Sequence, residues 1–250
     1  MFVKNKFMDK LRISAVSYLN TIPFVYGLKN SGCLKNFCLE LDVPSVCADK
    51  LIENKVDIGL VPVAVIPKIQ TPIIISDYCI GSIGKVNTVL LVSDKPLEKI
   101  NKIYLDFESR TSVQLVRVLA KNYWKIDVEW KSLNQNSRVD FLELEAAVVI
   151  GDKCFDLAKK FKYVYDLSYE WQKFSSLPFV FACWVANKKI AENVKNQFNK
   201  AIKFGVENIA KSIENVSAEI DLYSYLTKNI SYTFDKQKKQ AMDLFLKYLI

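Results

Sequence analysis

Strand-like and helix-like segments alternate through most of this chain, in two successive runs, with a helical tail behind them. This alternation constrains the fold more than any other feature. Strands joined by crossover helices build largely parallel sheets covered by helices, which is the α/β class. The first run spans about residues 11–92. Residues 11–16 are an apolar strand, 37–43 alternate apolar and polar residues, and 56–61, 73–80 and 88–92 are further extended segments. Pro23 and Pro44-Ser45 open helices, because a first helical turn needs no N–H from proline. The second run spans about 97–182. It contains strands at 103–105, 126–130 and 146–150, and a helix from Ser109 to about Trp124 whose Val113, Val116, Leu119 and Tyr123 share one face. Residues 177–186 are almost wholly apolar, as in a strand covered on both faces. From residue 187 the pattern is helical to the end, with Asp235 placed to cap the last helix.

Two α/β runs and a returning tail predict two lobes. Residues 1–92 plus 187–250 form a discontinuous first lobe, and 93–186 form the second. Two chain crossings make a hinge, and a hinge between two α/β lobes makes an interlobe cleft that closes on a ligand. Ligands of open α/β sheets bind beyond the carboxyl ends of the strands. Four polar turns fall there: 17–21, 82–85, 106–112 and 151–152.

Composition narrows the chemistry. The 250 residues contain no histidine, which removes Ser-His and Cys-His nucleophiles and histidine-dependent metal sites. The six cysteines form no Cys-x-x-Cys pair and read as reduced, packed thiols. The net charge of +8 is spread as lysines along the helices, with no basic arm, so no nucleic-acid partner is expected, while a small anion is attracted. No apolar run reaches the roughly 18–20 residues of a membrane span. Residues 1–10 read as a short leader without a secretory signal, so no membrane partner and a cytoplasmic location are expected.

The elbow Ser17-Tyr18-Leu19-Asn20-Thr21 follows the first strand and precedes the Pro23 helix. It brings hydroxyls, a carboxamide and free N–H groups to one point, a good receiver for an anion. Ser109-Arg110-Thr111-Ser112 offers three hydroxyls, a guanidinium and a helix N-terminus, enough to grip a carboxylate. Each stretch also has a purely structural reading. Ser109 can be an ordinary N-cap, Arg110 a surface charge, Asn20 an Asx-turn residue and Gly151-Asp152 a helix cap.

Taken together the turns carry a resemblance. Val16-Ser17-Tyr18-Leu19-Asn20-Thr21-x-Pro23, Asp57-Ile58-Gly59-Leu60-Val61-Pro62, Cys79-Ile80-Gly81-Ser82, Ser109-Arg110-Thr111-Ser112, Gly151-Asp152 and Leu177-Pro178-Phe179-Val180-Phe181-Ala182-x-Trp184 occur in one order over about residues 11–250. In this the chain resembles the chorismate dehydratase family, which opens the futalosine route to menaquinone. The resemblance implies a two-lobed type II periplasmic-binding-protein-like fold and the loss of water from dianionic chorismate, without metal or organic cofactor. It implies catalytic roles for Asn20, Ser82 and Asp152, and substrate contacts from Ser17, Tyr18, Thr88, Ser109, Arg110, Thr111, Ser112 and Gly151. Ile83, Lys85 and Asn87 depart from the Asp, Pro and Arg of the family's version of that loop. The competing readings are a solute-binding protein without chemistry, the related 1,4-dihydroxy-6-naphthoate synthase, which is expected to carry a site histidine, and the sensing domain of a regulator.

Overall fold

The computed structural model describes residues 10–133 and 140–249; nine of the ten residues read as a leader lie outside them. In chain order the elements are β1 (Leu11–Val16), α1 (Ile22–Asn30), β2 (Phe37–Asp42), α2 (Pro44–Ile52), β3 (Ile58–Pro62), β4 (Ile73–Ser82), β5 (Val89–Ser93), β6 (Lys102–Leu105) and α3 (Arg110–Leu119). There follow β7 (Glu129–Ser132), β8 (Ala146–Ile150), α4 (Cys154–Leu157), β9 (Tyr163–Asp166), α5 (Leu167–Ser175) and β10 (Phe179–Ala186). The tail holds α6 (Glu192–Glu207), α7 (Ile209–Ser212), α8 (Leu222–Ser224), β11 (Ser231–Thr233) and α9 (Lys236–Lys247). Asp235 caps α9 by accepting the Lys238 N–H at 2.9 Å.

The strands form two sheets, β11-β4-β10-β3-β1-β2 and β7-β6-β8-β5-β9. Each is mixed rather than purely parallel. In the first, β10 runs antiparallel to β3 and β4, and β11 antiparallel to β4; in the second, β5 runs antiparallel to β8 and β9. Both crossing strands sit in the sheet opposite to the expected one. Residues 88–92 close the expected first lobe, yet Val89–Ser93 is a strand of the second sheet. Residues 177–186 close the expected second lobe, yet Phe179–Ala186 is a strand of the first. Each crossing strand runs opposite to both strands that flank it in its sheet. The crossings therefore lie at 83–88 and between α5 and β10. The helical reading of the tail also breaks once, at β11, which pairs at the edge of β4.

Apolar periodicity accounts for the packing. Phe24 on α1, Trp184 on β10 and Phe198 on α6 are fully buried; Trp184 lies tilted 5.8 Å from Phe24 and edge to face 5.1 Å from Phe198. A buried ring of this size contributes about 1.5–3 kcal/mol. Gly27 and Gly205 let α1 and α6 touch backbone to backbone, since a Cβ on either would overlap the facing main chain. That contact fixes α1 and so fixes the elbow before it. Cys47, Cys79, Cys154 and Cys183 are buried free thiols, Cys33 is half-buried and Cys38 exposed. Among the described residues no helix is long and apolar enough to cross a membrane.

Candidate functional site

The elbow after β1 is held at both ends. Ser17 N–H continues the sheet by donating to Asp42 O at 2.9 Å, and Thr21 N–H closes a 3₁₀ turn onto Tyr18 O at 3.0 Å. Pro23 lies in the first turn of α1. Across from the elbow, β6 ends at Leu105 and the chain turns through Asp106 and Glu108 into α3. Ser109 caps this helix, accepting Ser112 N–H at 3.1 Å and donating to Ser112 Oγ at 2.8 Å. Beyond β8, Gly151 turns the chain at φ +74°, and its N–H bonds Thr88 O at 3.0 Å.

These turns enclose a cavity between the two sheets, with about 520 Å³ of atom-free space, mouth included. Its polar lining is Tyr18 and Asn20 from the elbow, Thr88 from the crossing, and Ser109, Thr111 and Ser112 from the start of α3. Pro44, Pro62, Ile80, Phe181 and Ala182 give an apolar wall from the first sheet's side, and Val89, Ile150 and Gly151 one from the second. Among the described residues, no charged side chain lines it. Hydroxyls, a phenol, a carboxamide and the N-terminal end of a ten-residue helix are what it offers an anion. A ring with oxygen substituents fits such a lining, apolar against the walls and hydrogen-bonded at its edge.

Several contacts join the two sides. Tyr18 Oη donates to Glu108 Oε2 at 2.7 Å, Leu19 N–H points to Asp152 Oδ2 at 3.4 Å, and Ser45 N–H bonds Glu108 O at 3.2 Å. Thr111 Oγ1 donates to Phe181 O at 3.1 Å while accepting Ala64 N–H at 3.3 Å. Behind Tyr18, Lys153 bonds the buried Asp106 at 2.7 Å and lies 3.6 Å from Glu108. Burial raises the Asp106 carboxyl against the pull of Lys153. Asp152 does not line the cavity but stands behind Leu19. Burial raises its carboxyl, the Leu19 N–H lowers it in part, and its Oδ1 is buried with no partner among the described residues.

Of the residues expected at the site, Tyr18, Asn20, Thr88, Ser109, Thr111, Ser112 and Gly151 meet at this cavity. Four do not line it. Arg110 turns outward and clasps Asp49 on α2, with Nη2 at 2.7 and 2.9 Å from the two carboxylate oxygens. Helical geometry explains this: with Thr111 and Ser112 turned inward, Arg110 lies on the flank facing α2. Asp152 therefore does not support Arg110. Ser82 is wholly buried and donates to Gly84 O at 3.1 Å, tying its own loop. Ser17 is exposed, on an outer depression with Ile22, Tyr26 and Leu41. Tyr225 and Tyr232 were missed: Tyr232 Oη donates to Asn20 O at 2.9 Å, and Tyr225 Oη lies 3.0 Å from Thr88 Oγ1. Neither belongs to the four polar turns; only their place in the fold brings them here.

Comparison with known structures places the architecture. A protein of Archaeoglobus fulgidus is 13% identical, with a TM-score of 0.75 over 97% of each chain. A Parabacteroides distasonis ABC transporter protein is 18% identical, with a TM-score of 0.64 over 96% of this chain and 91% of that one. The periplasmic aliphatic sulphonate binding protein SsuA of Escherichia coli is 16% identical, with a TM-score of 0.55 over 96% of this chain and 92% of that one. At such identities the likeness concerns the fold alone, and that fold is periplasmic-binding-protein-like. Residues 11–250 match the family described as menaquinone biosynthesis. The chain, from its first strand to its last residue, belongs to the menaquinone biosynthesis family.

Proposed function

We propose that the protein is a chorismate dehydratase, a carbon–oxygen lyase of the cytoplasm acting in the futalosine route. The observation that carries this reading is the convergence of Asn20, Thr88, Ser109, Ser112 and Gly151 on one uncharged cavity between the two sheets. Chorismate is a ring with two carboxylates, a hydroxyl and an enolpyruvyl ether. Its dehydration removes the ring hydroxyl and the proton of the neighbouring ring carbon. The C–H electron pair becomes a ring π bond as the C–O bond breaks, and proton and hydroxide leave as one water. The product, 3-[(1-carboxyvinyl)oxy]benzoate, is aromatic, which drives the step forward.

Such a reaction asks the protein mainly to hold and orient. The substrate's enolpyruvyl carboxylate reaches the ring proton and serves as base, with the advantage of a group held in place, for which effective molarities reach about 10⁵–10⁸ M. The N-terminus of α3, with Ser109 and Ser112, receives one carboxylate. Asn20 orients the enolpyruvyl carboxylate or the leaving hydroxyl, with Thr88 donating from the crossing. Asp152, which does not line the cavity, acts in this reading on the elbow through the Leu19 N–H rather than on the substrate. Arg110 and Ser82 have no part at the cavity in this reading; they act on the helix position and the loop.

The test is direct. Purified protein mixed with chorismate yields an aromatic product one water lighter. Absence of turnover, with tight binding of chorismate or another solute, overturns the lyase reading and leaves a binding protein.

A further inference from the structure

We infer that Tyr225 is a positioning residue that holds Asn20 and Thr88 in register across the hinge, an inference that rests on the dehydratase reading of the cavity. Tyr225 comes from the C-terminal tail, far in sequence from either partner. Its hydroxyl lies 3.0 Å from Thr88 Oγ1, and the phenol stands close enough to the Asn20 side chain for that group to lower its ionisation in part. Tyr232, seven positions on, bonds the backbone carbonyl of Asn20 at 2.9 Å. The elbow residue thus has one phenol bonded to its main chain and a second beside its side chain.

Thr88 in turn bonds the Gly151 N–H through its carbonyl at 3.0 Å. The two buried tyrosines therefore join the first sheet's elbow, the chain crossing and, through Thr88, a turn of the second sheet. The ring has little freedom to leave. Tyr225 is only 3% exposed, its ring meets Phe155 edge to face at 5.2 Å, and it opens a π-helical turn at residues 225–229. Single π turns interrupt helices at a cost and recur at functional sites. The same turn is pinned to the crossing by Asn229 Nδ2, which donates to Lys85 O at 2.9 Å. Tyr225 does not itself line the cavity, so it acts through its partners. Burial raises its phenol well above the ordinary value, and it stays a neutral donor and acceptor.

Tyr225→Phe keeps the ring and removes the hydroxyl. With chorismate, kcat falls about tenfold while KM stays within about twofold, and the melting temperature moves by no more than about 3 °C. In an Asn20→Ala background the same substitution changes kcat less than about twofold, because the group it positions is gone. Hydrogen exchange in peptides covering residues 17–22 and 86–90 quickens several-fold in Tyr225→Phe without chorismate. Native kcat with native exchange, or full additivity with Asn20→Ala, overturns the inference. A wild-type protein that fails to convert chorismate overturns the dehydratase reading instead, and the exchange comparison then still decides the role of Tyr225. If Tyr225→Phe does not fold, Thr88→Val cuts the same bond from its other side and is read by hydrogen exchange without chorismate alone, since Thr88 itself faces the substrate: quickened exchange over residues 17–22 supports the inference and native exchange overturns it.

Discussion

The Tyr18 hydroxyl donates to Glu108 Oε2 at 2.7 Å, and the Tyr18 ring covers Gly151, where an added Cβ would come within 3.0 Å of it. One side chain of the elbow thus touches both turns that the second sheet presents to the cavity. Burial first, and Glu108 second, push the phenol's ionisation far up, so it remains a donor. Loss of this bond in Tyr18→Phe removes part of the about 1.5–3 kcal/mol that a hydrogen bond to a charged acceptor supplies. The elbow is held less firmly to the second sheet, and the Kd for the aromatic product weakens roughly tenfold by titration calorimetry. An unchanged Kd shows that the bond contributes nothing to binding.

Gly151→Ala tests the same contact from the other side. At φ +74° an alanine is strained by about 1–2 kcal/mol, and its methyl group meets the Tyr18 ring. The expected outcome is a loss of about tenfold or more in kcat/KM, with the melting temperature lowered only modestly. Native kinetics would place the Tyr18 ring elsewhere in solution.

Asn20→Ala removes a carboxamide that shares the cavity wall with Thr88. Turnover falls at least about tenfold, the lower range for a positioned polar group, while the melting temperature is nearly unchanged. Steady-state kinetics with chorismate and a thermal melt decide it together; undiminished kcat takes Asn20 out of the mechanism.

For Arg110 the geometry reverses the expectation from sequence. Its guanidinium pairs with Asp49 at the surface, where such pairs contribute about 0–1 kcal/mol. Arg110→Ala therefore leaves KM within about threefold and stability within about 1 kcal/mol. A large rise in KM would mean that the guanidinium leaves Asp49 for the substrate.

Asp57 contributes to the acid limb of stability. Burial alone raises its carboxyl, but Arg12, at 2.8 Å through Nη2, and Lys188, at 2.6 Å, outweigh it and hold the group well below its ordinary value of 3.8. A carboxyl lowered by folding stabilises above its unfolded value and loses that contribution as pH falls toward the folded one. Asp57→Asn costs about 1–3 kcal/mol at pH 7 in urea unfolding, and the gap to wild type narrows below about pH 4. A gap that does not vary with pH would contradict the assignment to ionised Asp57.

Much of the site was legible because its chemistry is local. A cap reads along the chain: Ser109 binds an N–H three residues on, and Pro23 suits the turn it occupies. Glycine at 151 answers a backbone demand within one turn. Arg110 shows where locality ends. Its type and neighbours suit an anion site, but its partner Asp49 is 61 positions away and chosen by how α2 packs beside α3. Tyr225 is the complement, a residue of no local distinction that packing carries 137 positions back to Thr88.

The sequence by itself determined the α/β alternation, the two runs with a returning tail, and the elbow of Ser17 to Thr21 with Asn20 in it, because periodicity and capping act over a few residues. Only the tertiary structure decided which sheet each crossing strand joins. Val89–Ser93 and Phe179–Ala186 are apolar runs buried on both faces, a pattern that suits either sheet equally. Their places follow from unpaired edges and apolar surface left by strands far away in the chain. That same long-range choice turned Arg110 outward and brought two tyrosines of the tail against Asn20 and Thr88.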